Sequence, residues 1–153
     1  MDTTEVNAKT VVNDVRDVVR GAAAAGANVA GWSTQQSVVL ALKAEEATTS
    51  RIASGASLHV ALREGIADAD LIIALDAFSK ALDVTGSPEQ AFDAVAAIKS
   101  RATEGVPGAD KVAEAAKLEF NNALGKGLSP HAALASAFAS AAAISRMLSV
   151  RAN

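Results

Sequence analysis

The sequence contains no cysteine, no tyrosine, one tryptophan and four phenylalanines among its 153 residues. Without cysteine, the chain has no disulfide, no thiolate nucleophile and no cysteine-based zinc site. So few aromatic rings exclude a core built on bulky aromatic anchors. About a quarter of the residues are alanine, which is the strongest helix former and has little volume. Together these features predict closely packed helices around a thin interior.

A strong charge of either sign is also missing. Fourteen basic and seventeen acidic residues give a formal net charge of -3, and they are spread along the chain. Nucleic-acid binding normally needs a basic patch that neutralises phosphates, and the sequence has no run of Lys or Arg. We therefore expect no nucleic-acid partner.

Long hydrophobic runs are absent as well. The longest apolar stretch, residues 132–144, consists mostly of Ala and Ser, whereas a membrane helix needs ~20 strongly apolar residues. The first residues mix Val with Asn, Asp and Arg, which is not the pattern of a signal peptide. We expect a soluble, cytoplasmic protein without a membrane span, and secretion by a route that uses no N-terminal signal stays open.

Helical periodicity is the main signal that is present. Val11, Val15, Val18 and Ala22 follow one face of a helix over residues 5–25, after which Gly26 and Gly31 indicate a loop. Apolar residues on two sides predict that the helix over residues 58–82 is the most buried. Gly65 is expected to divide this helix, with Asp68 capping the second piece.

The other helices are predicted over residues 34–53 and 88–104, from Asp110 onward, and from residue 130 to about residue 150. No segment shows the alternation of a strand. The sequence thus predicts an all-α fold in a single domain, residues 1–153. The architecture is an irregular bundle or stacked helical hairpins of six to seven Ala-rich amphipathic helices.

Two helix starts share the pattern G-x-S-x-H-x-A-L, at residues 55–62 and 127–134, and residues 86–92 carry a looser version. Gly closes the preceding helix and Ser caps the next one. Ser33 and Gln36 have the spacing of a capping box, and Trp32 precedes that cap at the outer position of a hydrophobic staple. An old duplication and convergence on good capping both explain the shared pattern.

Signatures of catalysis are missing from the sequence. It has no G-x-S-x-G elbow and no Walker A motif, so we predict no enzyme activity, no cofactor and no metal. His59 and His131 follow equivalent capping serines and would share a metal or a proton if they met, but we favour exposed polar positions. Four acidic residues lack the spacing of a calcium loop, and we expect them to cap a helix or face solvent; they are Glu64, Asp68, Asp70 and Asp76.

Two sets of residues are candidates for an interaction surface. Ala133, Ala137 and Ala141 recur every fourth residue and form either an internal helix contact or a seam with a subunit or other partner. The second set would line an apolar groove, although a single Trp at a helix start is more often a packing residue. Its members are Trp32, Phe78, Phe92, Phe120 and Phe138.

These features favour a non-enzymatic structural protein that self-associates into a homo-oligomer, filament or array. The first alternative is a monomeric helical binding module or adaptor that recognises a partner helix or an apolar ligand. A third hypothesis is an enzyme that depends on His59 or His131 and unrecognised carboxylates. The partner is therefore expected to be the chain itself or another protein.

Overall fold

A computed structural model describes the backbone of residues 3–152 and the side chains of residues 11–148. Throughout that part of the chain, the regular structure is helical, which confirms the predicted all-α fold class. The described residues form six helices, the lower of the two predicted numbers: α1 Thr3–Val29, α2 Thr34–Ala53, α3 Leu58–Thr85, α4 Pro88–Ala102, α5 Ala109–Gly125 and α6 Pro130–Ala152.

The chain divides into two compact units, Met1–Ile73 and Ala74–Asn153. The first unit contains α1, α2 and the first part of α3. The second contains the rest of α3 together with α4, α5 and α6. The single domain expected for residues 1–153 stays a prediction, and each unit is described below by itself.

Three helix connections have the same backbone geometry, and each is a Gly-x-Ser turn. The glycine has a positive φ of 83° at Gly31, 101° at Gly55 and 91° at Gly127. The glycine N–H donates to the carbonyl of the residue three positions earlier. The N–H of the residue after the glycine donates to the carbonyl five positions before that residue, and all these distances are 3.0–3.1 Å. This is the Schellman arrangement, in which glycine adopts the left-handed conformation at little steric cost.

The serine of each Gly-x-Ser turn begins the next helix. Its hydroxyl accepts a hydrogen bond from the backbone N–H three residues later, at 3.2 Å for Ser33 and Ser57 and 3.3 Å for Ser129. The capping box of Ser33 and Gln36 is present as predicted. Residues 31–33 are thus a third copy of the turn at 55–57 and 127–129. The connection at Gly86 and Ser87 differs, because no residue separates the glycine from the capping serine.

Small residues follow each Gly-x-Ser turn at the sixth and tenth positions after the glycine. These positions are four residues apart, so they lie on one face of the helix. All six are buried, and a small side chain there lets neighbouring helix backbones approach closely. They are Ser37 and Ala41 in α2, Ala61 and Gly65 in α3, and Ala133 and Ala137 in α6.

Gly65 marks a close approach of α3 to α2 in the first unit. Thr48 of α2 is fully buried, and its hydroxyl donates to the Ala44 carbonyl at 2.8 Å. A Cβ at Gly65 would overlap that hydroxyl and would also lie 3.3 Å from Val19 Cγ2 of α1. The prediction that Gly65 divides the helix was wrong, because α3 runs through it unbroken and uses the missing side chain for packing.

Asp68 does not cap a helix, and that prediction was also wrong. It lies within α3 and forms an ion pair with Arg51 of α2, with a distance of 2.5 Å between Nη2 and Oδ2. Arg51 Nε also lies 2.9 Å from Glu64 Oε2, one turn earlier on α3. On α1, Arg20 Nε lies 3.4 Å from Glu45 Oε2 of α2. Ion pairs therefore join α2 to both of its neighbours and help to fix its rotation about its axis.

The core of the first unit consists mainly of alanine. The buried residues of α1 are Val19, Ala23 and Ala27. Val11 and Val18 of the predicted buried face are exposed, so the face that α1 buries is rotated about the helix axis from the predicted one. Gly26 is not in a loop; it lies inside α1, where a Cβ would be 3.3 Å from Ile73 Cδ1. The cluster comprises Val19, Ala23, Ala27, Leu40, Ala41, Ala44, Ala69 and Ile73.

The second unit has a separate core with three phenylalanines at its centre. The Phe92 and Phe120 rings are stacked with centroids 4.6 Å apart, and Phe78 meets Phe120 edge-on at 6.0 Å. The remaining members of the core are Ala74, Ala91, Val95, Ala123, Ala133, Leu134 and Ala137.

The start of α5 differs from the prediction. Asp110 was expected to cap this helix, but Gly108 precedes the helix and Asp110 lies in its first turn.

Gly65→Ala is expected to lower the free energy of unfolding by about 1–3 kcal/mol, because the new methyl group overpacks the contact with Thr48. Urea denaturation measures the change. Adding Thr48→Ala should recover part of the loss, since it removes the atom that the methyl group would meet.

Gly21→Ala is the matched control, because Gly21 lies inside α1 with no atom near a built Cβ. It should stabilise the protein by roughly 0.5–1 kcal/mol, the usual difference between Gly and Ala within a helix. If Gly65→Ala stabilised the protein as much as Gly21→Ala does, that result would contradict the close approach of α2 and α3.

Candidate functional site

Trp32 occupies the middle position of the first Gly-x-Ser turn. Its backbone N–H donates to the Ala27 carbonyl at 3.0 Å, and its half-buried side chain packs against the alanine-rich core of the first unit. An apolar residue just after a C-terminal glycine commonly contacts the last turn of the helix it follows. The Schellman bond thus explains the position of Trp32 better than the predicted hydrophobic staple.

A shallow pocket lies beside Trp32. Its volume is about 290 Å³, and it opens widely to solvent. This volume is at the lower limit of small-ligand sites, which run from roughly 300 to 1,000 Å³ and enclose most of the ligand. The pocket therefore suits a side chain of a partner better than a whole small molecule. It is lined by Trp32, Gln35, Gln36, Val39, Leu40, Lys43 and Ile72.

Large apolar side chains continue from this pocket over the outer surface of α2. Val38, Val39 and Leu42 of α2 have exposed fractions of 53%, 49% and 53%, and Ile72 of α3 has 42%. Single exposed apolar residues are common on proteins, but a contiguous group indicates an interaction surface. We call the surface formed by Trp32 and these four residues the α2 face.

The other members of the predicted groove lie in the second unit. Phe78, Phe92 and Phe120 are buried in its core, so they do not line an open surface within that unit. Phe138 packs against the same core while partly exposed, and Lys99 Nζ lies 5.9 Å from its ring centroid. Of the five predicted residues, Trp32 lines the pocket described above.

The alanine ladder of α6 is mainly internal. Ala133 and Ala137 are fully buried in the second core, and Ala141 is half-buried. Ala133 and Ala137 occupy the same positions after Gly127 as Ala61 and Gly65 do after Gly55. A seam through Ala133 and Ala137 would require the unit to open, so the surface of the folded unit offers little of this ladder to a partner.

The two histidines are exposed and lie in different units. His131 Nε2 is 2.8 Å from Ser79 Oγ, and its ring meets Phe78 edge-on with centroids 5.2 Å apart. These contacts connect the start of α6 to α3 within the second unit. His131 therefore links α6 to α3 locally, and its contact with Ser79 could not be read from the sequence spacing.

The acidic region of α3 is held largely by ion pairs within the protein. Glu64 and Asp68 bind Arg51, and Asp76 Oδ2 lies 2.9 Å from Lys80 Nζ on the next turn. Among the side chains that the structure describes, no three or more His, Asp and Glu residues are grouped closely enough to hold a metal ion.

Comparisons with protein-family models, with curated proteins and with solved structures found no match. Across the described helices, none combines the length and the apolarity needed to cross a membrane.

Four residues of the α2 face were absent from the predicted groove, namely Val38, Val39, Leu42 and Ile72. A signal for them was available in α2, because Val38, Val39 and Leu42 lie opposite the buried Leu40, Ala41 and Ala44 on the helix. Apolar residues on both sides of a helix indicate either full burial or a second contact surface. Ile72 carried no such signal, since its exposure depends on how α3 packs.

Ala137→Leu is expected to destabilise the protein by about 1–3 kcal/mol, because the added carbons have no room in the second core. Ala139→Leu on the exposed side of α6 should change the stability by less than about 0.5 kcal/mol. Thermal or urea unfolding compares the two variants. A normally stable Ala137→Leu protein with altered self-association would instead favour a seam at the ladder.

Proposed function

We propose that this chain is a non-enzymatic structural protein that self-associates through the α2 face. The observation that carries the proposal is the group of half-exposed Val38, Val39, Leu42 and Ile72 beside Trp32. Covering a large apolar side chain removes it from water and contributes roughly 1.5–3 kcal/mol when the burial is complete. A homo-oligomer, a filament or an array would each provide such a cover.

The ionisable groups of the first unit support a role without catalysis. Arg51 of α2 binds both Glu64 and Asp68 of α3, and Glu45 binds arginines of α1. Groups paired in this way stabilise helix contacts and leave less capacity for acid–base chemistry. The surface beside Trp32 offers apolar contact area with a rim of two amides and one ammonium group, which suits recognition of a protein surface.

The second candidate is a monomeric binding module that accepts an apolar side chain of a partner helix, as helix-in-groove recognition does. The pocket lined by Trp32, Val39 and Ile72 favours it. In this case the same surface would remain open until that partner arrives.

Self-association predicts a solution mass that rises with protein concentration above the 15.4 kDa of one chain. Light scattering over a wide concentration range measures this mass. Leu42→Glu should shift the curve toward the monomer, because a carboxylate would be buried in the contact without a partner. Leu118→Glu is the matched control, since Leu118 is a 64% exposed leucine of α5 outside the α2 face.

The binding module predicts a change in Trp32 fluorescence when an amphipathic helical peptide is titrated into the monomeric protein. Trp32 is the single tryptophan, so the signal reports on this pocket alone. Ile72→Ala should weaken the response by shortening the pocket wall. A constant mass of 15.4 kDa together with an unchanged fluorescence spectrum would remove both candidates.

A further inference from the structure

Along the exposed side of α2, four residues have the spacing of a coiled-coil seam. Gln35, Val39, Leu42 and Glu46 are separated by four, three and four residues, and all are exposed. Alternating steps of three and four keep side chains on one line where two helices meet. We call these four residues the α2 seam. Two apolar residues form its centre, and one polar residue lies at each end.

We propose that the α2 seam pairs antiparallel with the α2 seam of a second copy of this chain, forming a two-fold symmetric dimer. This inference rests on the proposed self-association and specifies its contact. A two-fold interface uses the same patch on both subunits, so the patch must be complementary to itself when reversed.

The α2 seam meets that requirement in the antiparallel direction. With the axis passing between residues 40 and 41, Val39 of each copy faces Leu42 of the other. At both ends Gln35 then faces Glu46, where the amide N–H donates to the carboxylate. A parallel pair in register would instead place Glu46 against Glu46, which is unfavourable for like charges. The pattern of polar and apolar residues therefore fits a second copy of the chain and favours the antiparallel direction.

The length of the α2 seam sets the strength of the dimer. Residues 35–46 span roughly 17 Å at the helical rise of 1.5 Å per residue. Stable complexes commonly bury about 800 Å² on each partner, and a contact of one and a half heptads with its flanking side chains provides less. We therefore expect a dimer that dissociates on dilution. Because a two-fold contact closes on itself, any larger assembly needs a second surface.

Charge exchange across the α2 seam tests both the contact and its direction. Val39→Lys alone should weaken the dimer about tenfold or more, because each introduced ammonium group replaces an apolar contact with Leu42 and loses its hydration there. Leu42→Glu alone should weaken it similarly. In an equimolar mixture of the two variants, the new lysine of one chain faces the new glutamate of the other. At the second central contact, Leu42 of the Val39→Lys chain still faces Val39 of the Leu42→Glu chain. Sedimentation equilibrium should then show a dimer again, and native mass spectrometry should identify it as the mixed species.

Leu118→Glu serves as the control for an added surface carboxylate, and circular dichroism confirms that each variant is helical. If the variants stay monomeric when mixed, the antiparallel pairing is overturned. If the parent chain self-associates and neither substitution changes its mass, the α2 seam is the wrong surface while self-association itself stands. A parent chain that is monomeric at every concentration overturns both the dimer and the proposed function.

Discussion

The close approach of helices at small residues is the constraint on which this structure depends. A buried alanine methyl group contributes on the order of 0.8 kcal/mol, against roughly 1.5–3 kcal/mol for a buried Leu or Phe side chain. A core made largely of alanine must therefore bring helix backbones close together to make enough contacts. The Gly-x-Ser turns supply this geometry, because each reverses the chain over three residues and is followed by two small buried positions.

The same constraint explains why apolar residues remain on the surface of the first unit. Its core takes Leu40, Ala41 and Ala44 from α2, where Thr48 is also buried, and the ion pairs of Glu45 and Arg51 help to hold that face inward. Val38, Val39 and Leu42 then point outward. In the second unit, by contrast, Phe78, Phe92 and Phe120 fill the centre. The second unit also exposes apolar residues such as Val84 and Leu118, whereas the exposed group beside Trp32 belongs to the unit with the smaller core residues.

Local sequence signals predicted the helices well, because caps and breaks depend on nearby residues. Thr34–Ala53 begins and ends where the capping residues indicated. Gly26 and Gly65 were misread as breaks, because their role is to make room for Ile73 and Thr48, residues distant in sequence. The candidate site was found only through Trp32. The exposure of Ile72 and the burial of Ala137 depend on tertiary packing, which periodicity within one helix does not specify.

The middle position of the Gly-x-Ser turn holds Trp32, Ala56 and Leu128 in its three copies, while the hydrogen bonds around it stay the same. Those bonds use backbone atoms and the serine hydroxyl, so the middle side chain is not needed to close the turn. One connection thus tolerates an indole, a methyl group and an isobutyl group. A protein engineer could exchange this residue to change the chemistry at the end of a hairpin while keeping the hairpin itself intact.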